Sequence, residues 1–179
     1  MNQTDIAHIL ENKRHPLTFF NCWRYLVMLF PGFIVTLGLS ICLSEGLKKP
    51  FIFIWPVIII IGIYLVKTTF KHIESDRKFY SIYTRVTDVN VIVECIKTLG
   101  CRIVVENQAI VIAETKMSLT SWGEIITVVI KEGELLFNSR PSESPASSSR
   151  DINNFWRFYR QIELKENQLQ LTEHLQKHG

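Results

Sequence analysis

Charge is nearly missing from one stretch of this 179-residue chain. Between Tyr25 and Val66 the only side chains charged at neutral pH are Glu45, Lys48 and Lys49. Elsewhere the balance is ordinary, with 20 Lys and Arg against 17 Asp and Glu. The resulting net charge of +3 is too small, and lacks the basic runs with interleaved aromatics, to argue for nucleic acid. Cysteine is sparse too. None of the four (Cys22, Cys42, Cys95, Cys101) forms a Cys-x-x-Cys pair, which excludes a zinc knuckle and points to free thiols in a reducing compartment. Phosphate-binding glycine loops, Gly-x-Ser-x-Gly and His-Glu-x-x-His are all missing. Glu94, Glu106, Glu114 and Glu124 are scattered, and no two are poised as an acid–base pair. His174 and His178 have i,i+4 spacing, but only Glu173 stands beside them as a further ligand. No enzyme activity, cofactor or metal is therefore expected. No internal repeat is visible.

What the chain does have is hydrophobic length. Tyr25 to Ser44 is twenty residues without a charge, and Phe51 to Val66 is sixteen, extensible to Phe70 if Lys67 snorkels. Twenty helical residues reach roughly 30 Å, about one hydrocarbon thickness. Trp23, Tyr25, Trp55 and Tyr64 stand near the ends, where amphipathic rings settle. With only "EGLKKP" between them, the runs predict a tight transmembrane hairpin over residues 21–70. Basic residues cluster outside it, at Lys13, Arg14 and Arg24 before and Lys67, Lys71, Arg77, Lys78 and Arg85 after. That asymmetry predicts a multi-pass protein of a bacterial inner membrane with both termini cytoplasmic. Residues 1–20 form a juxtamembrane segment, in which Thr4 caps a short helix with Ile6, Ile9 and Leu10 on one face, suited to a membrane surface. Residues 71–86 read as a basic stem.

Residues 87–179 carry the pattern of a small α+β domain. Val89, Ile92, Ile96 and Leu99 have helical spacing, with Thr87 or Asp88 as cap and Gly100 at the C-terminal end. "CRIVVEN" and "AIVIAET" predict two strands turning at Asn107-Gln108. "EIITVVI" and "ELLFNSR" flank Glu132-Gly133, a two-residue hairpin signal. A mostly antiparallel four-stranded sheet packed by two helices follows, with one face covered and the other partly solvated. In the last helix Asp151 is the N-cap, and Ile152, Phe155, Trp156, Tyr159 and Ile162 form an apolar stripe expected to lie on the sheet.

Between the hairpin and that helix runs "SRPSESPASSSRDINN", the best candidate for an interaction edge. Arg140 and Arg150 bracket it, Ser142 and Ser148 offer hydroxyls, and Asn153 and Asn154 offer amides beside a helix N-terminus. This set could hold an anion or a partner's carboxylate. Glu143 and Asp151 bring opposing charge, and Ser/Pro loops are commonly solvated surface, so both readings stand.

The order of Trp122-Gly123-Glu124 at a strand entry, Asn138-Ser139 at a strand exit and Asn153 or Asn154 on the following helix resembles small two-span membrane-anchored proteins of unknown function from Bacteroidetes-type bacteria. The resemblance covers about residues 87–160. It implies an inner-membrane location and supplies no activity. The family's glycine and basic residues before the last helix are replaced here by "SSSRD". The sequence-based expectation is a non-enzymatic inner-membrane protein whose cytoplasmic domain binds a protein partner, as an accessory subunit of a membrane assembly. Gly32, Gly38, Ser40 and Gly62 would let partner helices approach closely. The alternatives are an immunity protein that neutralises a membrane-acting toxin, and a regulatory domain that senses an anionic ligand. The implied partners are the lipid bilayer and a protein, either other membrane helices or a toxin, and no nucleic acid.

Overall fold

The structure is a computed structural model that describes residues 3–16, 30–45, 54–116, 123–141 and 152–178. The chain falls into two compact units, Leu17–Ser75 and a discontinuous one made of Met1–Pro16 with Asp76–Gly179. The first unit contains α2 (Phe30–Glu45) and most of α3 (Ile54–Arg77). The second contains α1 (Gln3–Asn12), β1 (Tyr80–Tyr83), α4 (Val89–Thr98), β2 (Arg102–Glu106), β3 (Ile110–Glu114), β4 (Glu124–Lys131), β5 (Glu134–Pro141) and α5 (Ile152–His178).

The expected transmembrane hairpin is corrected here. Among the described residues, no helix is long and apolar enough to cross a membrane. The helix α2 has 16 residues, roughly 24 Å at 1.5 Å each, short of the roughly 30 Å required. The helix α3 has 24 residues, but its apolar stretch ends at Val66, and Lys67, Lys71, Glu74, Asp76 and Arg77 follow. Among the described residues, the uncharged runs therefore do not give an apolar helix of membrane-spanning length. The transmembrane, inner-membrane and multi-pass assignments, and the topology built on them, are not supported. Trp23, Tyr25 and the loop lysines Lys48 and Lys49 lie outside the described residues. The small residues also act differently from expectation. A Cβ on Gly32 would stand 3.3 Å from Val66 Cγ2, so this glycine lets α2 and α3 close on each other. Gly38 and Gly62 are buried.

The sheet has five strands, not four, in the order β1-β5-β4-β3-β2, and every pairing is antiparallel. The extra strand is "YSIY" at the end of the presumed stem, where Ile82 is buried opposite Leu135. Period-2 alternation sorts the strands into two faces. One face presents Ile82, Val111, Ala113, Ile126, Val128, Leu135 and Phe137 to Ile92, Ile96, Phe158 and Ile162 of α4 and α5. The other presents Ile110, Val129 and Leu136, and Phe79 beside them, to Ile9 of α1, with Ile6 and Leu10 packed around it. The N-terminal helix therefore covers the face expected to be solvated, and its apolar stripe packs on protein.

Local chemistry places the turns as the sequence predicts. Asp88 caps α4, its side chain accepting from Asn90 N at 2.9 Å. Asn107 Oδ1 accepts from the amides of Ala109 and Ile110, closing the β2–β3 turn. Gly133, with φ of 73°, makes the tight β4–β5 turn. The helix α5 is fixed where Glu166 accepts from Thr84 Oγ1 at 2.9 Å and Lys165 reaches Glu94 at 3.0 Å.

Candidate functional site

The strand β5 carries Asn138, Ser139 and Arg140 in succession, and alternation sends neighbouring side chains to opposite faces. Ser139 faces α5. Its hydroxyl donates to Glu124 Oε2 in a short hydrogen bond, and Asn154 Nδ2 donates to the same oxygen at 3.0 Å. All three residues are buried. Glu124 is also fixed through its backbone, since its amide donates to Thr115 Oγ1 at 2.7 Å and its carbonyl accepts from Thr115 N at 2.9 Å. The strand-entry glutamate, the strand-exit serine and the helix asparagine thus form one internal lock between sheet and helix.

On the opposite face, Asn138 is wholly buried and ties three segments together. Its amide nitrogen donates to the carbonyls of Asp76 and Lys78 at 2.9 and 2.8 Å. With Nδ2 so committed, Oδ1 is the acceptor, and His15 Nε2 lies 3.2 Å from it, which places the proton on that nitrogen. His15 stacks on Phe79 with ring centroids 4.7 Å apart. Burial, then the positive charge of Arg140, push its pKa down to about 4, against an upward effect of the Asn138 hydrogen bond, with smaller contributions from Arg77 (downward) and Asp5 (upward). Nearby, Lys13 Nζ donates to Glu134 at 2.5 Å and Ser81 at 2.7 Å. Its hydrogen bond holds the Glu134 carboxyl below the usual carboxylate range.

Of the six residues singled out from the sequence, the three that are described lie apart. Arg140 belongs to the α1 face beside His15, and Asn154 to the α5 face, with the sheet between them. Asn153 is exposed on α5. Ser142, Ser148 and Arg150 lie outside the described residues, as do Trp122 and the proposed cap Asp151. The buried thiols Cys95 and Cys101 are raised above the ordinary thiol pKa by desolvation, which makes them poor nucleophiles at neutral pH.

Two surfaces expose large apolar side chains. The expected α5 stripe is split: Phe155, Phe158 and Ile162 face the sheet, whereas Trp156 is 59% exposed and Tyr159 38%. Trp156 and Tyr159 belong to a surface groove of about 700 Å³ with Asn153, Arg157, Arg160 and Glu163. The signal was present as two overlapping helical stripes that share Phe155, and omission of Phe158 merged them into one. The second surface is on the helices of the other unit. Phe30, Phe33 and Leu37 of α2 and Val57, Ile60 and Tyr64 of α3 each expose more than half of their area. Set against known proteins, the chain matches no family model, no curated protein and no solved structure.

Proposed function

We propose that this protein is a non-catalytic accessory subunit that binds a partner protein through the apolar faces of α2 and α3. The observation that carries this reading is the exposed set Phe30, Phe33, Leu37, Val57, Ile60 and Tyr64. These positions recur at helical spacing within each helix, and Leu39, Ile61, Ile63, Leu65 and Phe70 beside them are exposed as well. With more than half of each side chain in solvent, the first six offer on the order of 700 Å² of apolar area. Exposed apolar surface beyond a few hundred Å² marks interaction sites on proteins. These side chains carry no charge, so the matching surface is itself apolar, as on a helix of the partner.

The buried polar groups support a scaffold more than a reaction centre. Glu124, Ser139 and Asn154 satisfy one another inside the domain, and Asn138 joins segments distant in sequence. The experiment is affinity purification of the intact chain from native extracts beside an Ile60→Glu, Tyr64→Glu variant. A stoichiometric partner is expected with the wild type and lost with the variant. A partner retained by both would remove the α2–α3 surface from the interface and end this reading.

A further inference from the structure

The groove on the outer face of α5 is a second, chemically different surface. Its wall is two exposed aromatic rings, Trp156 and Tyr159, set edge-on with centroids 6.0 Å apart. Exposed tryptophan normally moves freely, and ordering it on binding costs affinity. Here the ring is already braced. Phe155 contacts Trp156 at 5.2 Å and Tyr159 at 6.3 Å, and is itself held against Phe137 at 5.7 Å and Tyr80 at 5.1 Å. Phe137 and Phe158 stack beneath at 5.0 Å. The aromatic ladder runs from the core to the surface, so Trp156 is presented on a rigid base.

The charged members give the groove a sign. Among the described lining residues, Arg157 and Arg160 stand against one carboxylate, that of Glu163. Among the described residues, no ion pair involves either guanidinium. Tryptophan, tyrosine and arginine together are the residue types that dominate binding energy at protein interfaces. Guanidinium groups next to aromatic faces suit a carboxylate beside an apolar side chain.

We propose that this groove binds a short acidic segment of a partner protein, in which Asp or Glu flanks an aromatic or large aliphatic residue. The apolar residue lies against Trp156 and Tyr159, and its neighbouring carboxylates meet Arg157 and Arg160. Glu163 repels acidic residues at one end of the groove, fixing the direction of the segment. The inference rests on the partner-binding reading but uses none of the residues that carry it.

The test is selection of a random twelve-residue displayed peptide library on the intact protein and, in parallel, on the Arg157→Glu, Arg160→Glu variant. The best wild-type peptide is then titrated by calorimetry. Peptides combining acidic residues with a Phe, Trp or Leu are expected, binding at least tenfold more weakly to Trp156→Ala and to the charge-reversed variant, and more weakly as salt rises. Arg140→Ala, on the other sheet face, should leave the affinity unchanged. Enrichment of basic or uncharged peptides, equal binding to the charge-reversed protein, or no enrichment over it would each overturn the proposal. Peptide binding retained by Ile60→Glu, Tyr64→Glu while the partner is lost would uphold the groove and the α2–α3 interface separately. Loss of the partner on the latter change, with no peptide selected, would end the groove proposal alone.

Discussion

His15 shows how one residue can hold the N-terminal segment to the sheet and make that hold depend on pH. In the unfolded chain its imidazole titrates near the ordinary 6.5, whereas in the native site it stays neutral until about pH 4. Between those values the unfolded state binds more protons, so stability falls as pH falls through the window, and the loss is complete below it. At about 1.4 kcal/mol per pH unit, the full loss is roughly 3 kcal/mol. Glu134 acts in the same direction but lower, because a depressed carboxyl stabilises above its ordinary pKa and loses that contribution as pH falls through the folded value. Denaturant unfolding at pH 7, 5.5 and 4.5 should show the wild type losing most of that energy. His15→Gln keeps a donor for Asn138 and leaves Glu134 unchanged, so its profile should be flatter by nearly the whole amount. Equal slopes would mean that His15 is not the titrating group. Little of this was visible beforehand. Asn138 drew notice as a motif residue, but its partners lie more than a hundred residues before it (His15) and some sixty before it (Asp76, Lys78), and spacing cannot report such contacts.

At the scale of elements, the two terminal helices contrast in what they bury. The helix α1 has only ten residues, yet Ile9 is fully buried against Phe79, Ile110, Val129 and Leu136. Ile9→Ala should cost about 2–5 kcal/mol, the range for truncating a large aliphatic side chain in a packed core. The helix α5 has 27 residues, but Leu169, Leu171 and Leu175 are exposed, whereas Lys165 and Glu166, nearer its middle, tie it to Glu94, Thr84 and Arg85. Ending the chain after Gln168 should move the unfolding free energy by less than about 0.5 kcal/mol. A large loss on truncation, or none on Ile9→Ala, would reverse the roles assigned to the two ends. The sequence made α4, the strands β2 to β5 and their turns legible, because capping, alternation and Glu132-Gly133 are local signals. It concealed β1, a four-residue strand directly after a charged helix, and the destination of α1. An amphipathic stripe states that a face must be covered but not by what. The same ambiguity merged the two stripes of α5, where aromatic residues on adjacent faces satisfied one helical period.

The whole molecule is built so that its sheet unit is interrupted in sequence but closed in space. Residues 17–75 separate Pro16 from Asp76, yet the two ends of the gap are bonded to each other. His15 N donates to Arg77 O at 2.9 Å, Phe79 N donates to Lys13 O at 2.9 Å, and Arg14 bridges Lys78. Arg77 Nε adds a bond to His15 O at 2.9 Å. The inserted unit therefore leaves and returns at nearly one point, the geometry that makes an insertion separable from its host. Joining Pro16 to Asp76 through a flexible linker of about six Gly and Ser residues should give a protein that unfolds cooperatively, since closing so short a gap costs little entropy. A fragment beginning at Asp76 should behave differently. Without α1 it exposes Ile110, Val129 and Leu136 on one sheet face and leaves Asn138 without His15. Losing Ile9 alone is worth about 2–5 kcal/mol, and a domain of this size holds only about 5–15 kcal/mol in total. The fragment should therefore unfold in much less denaturant than the linked protein, or bind a dye for exposed apolar surface. Equal stability of the two would show that α1 is dispensable. A linked protein that fails to fold would show that residues 17–75 are required by the sheet.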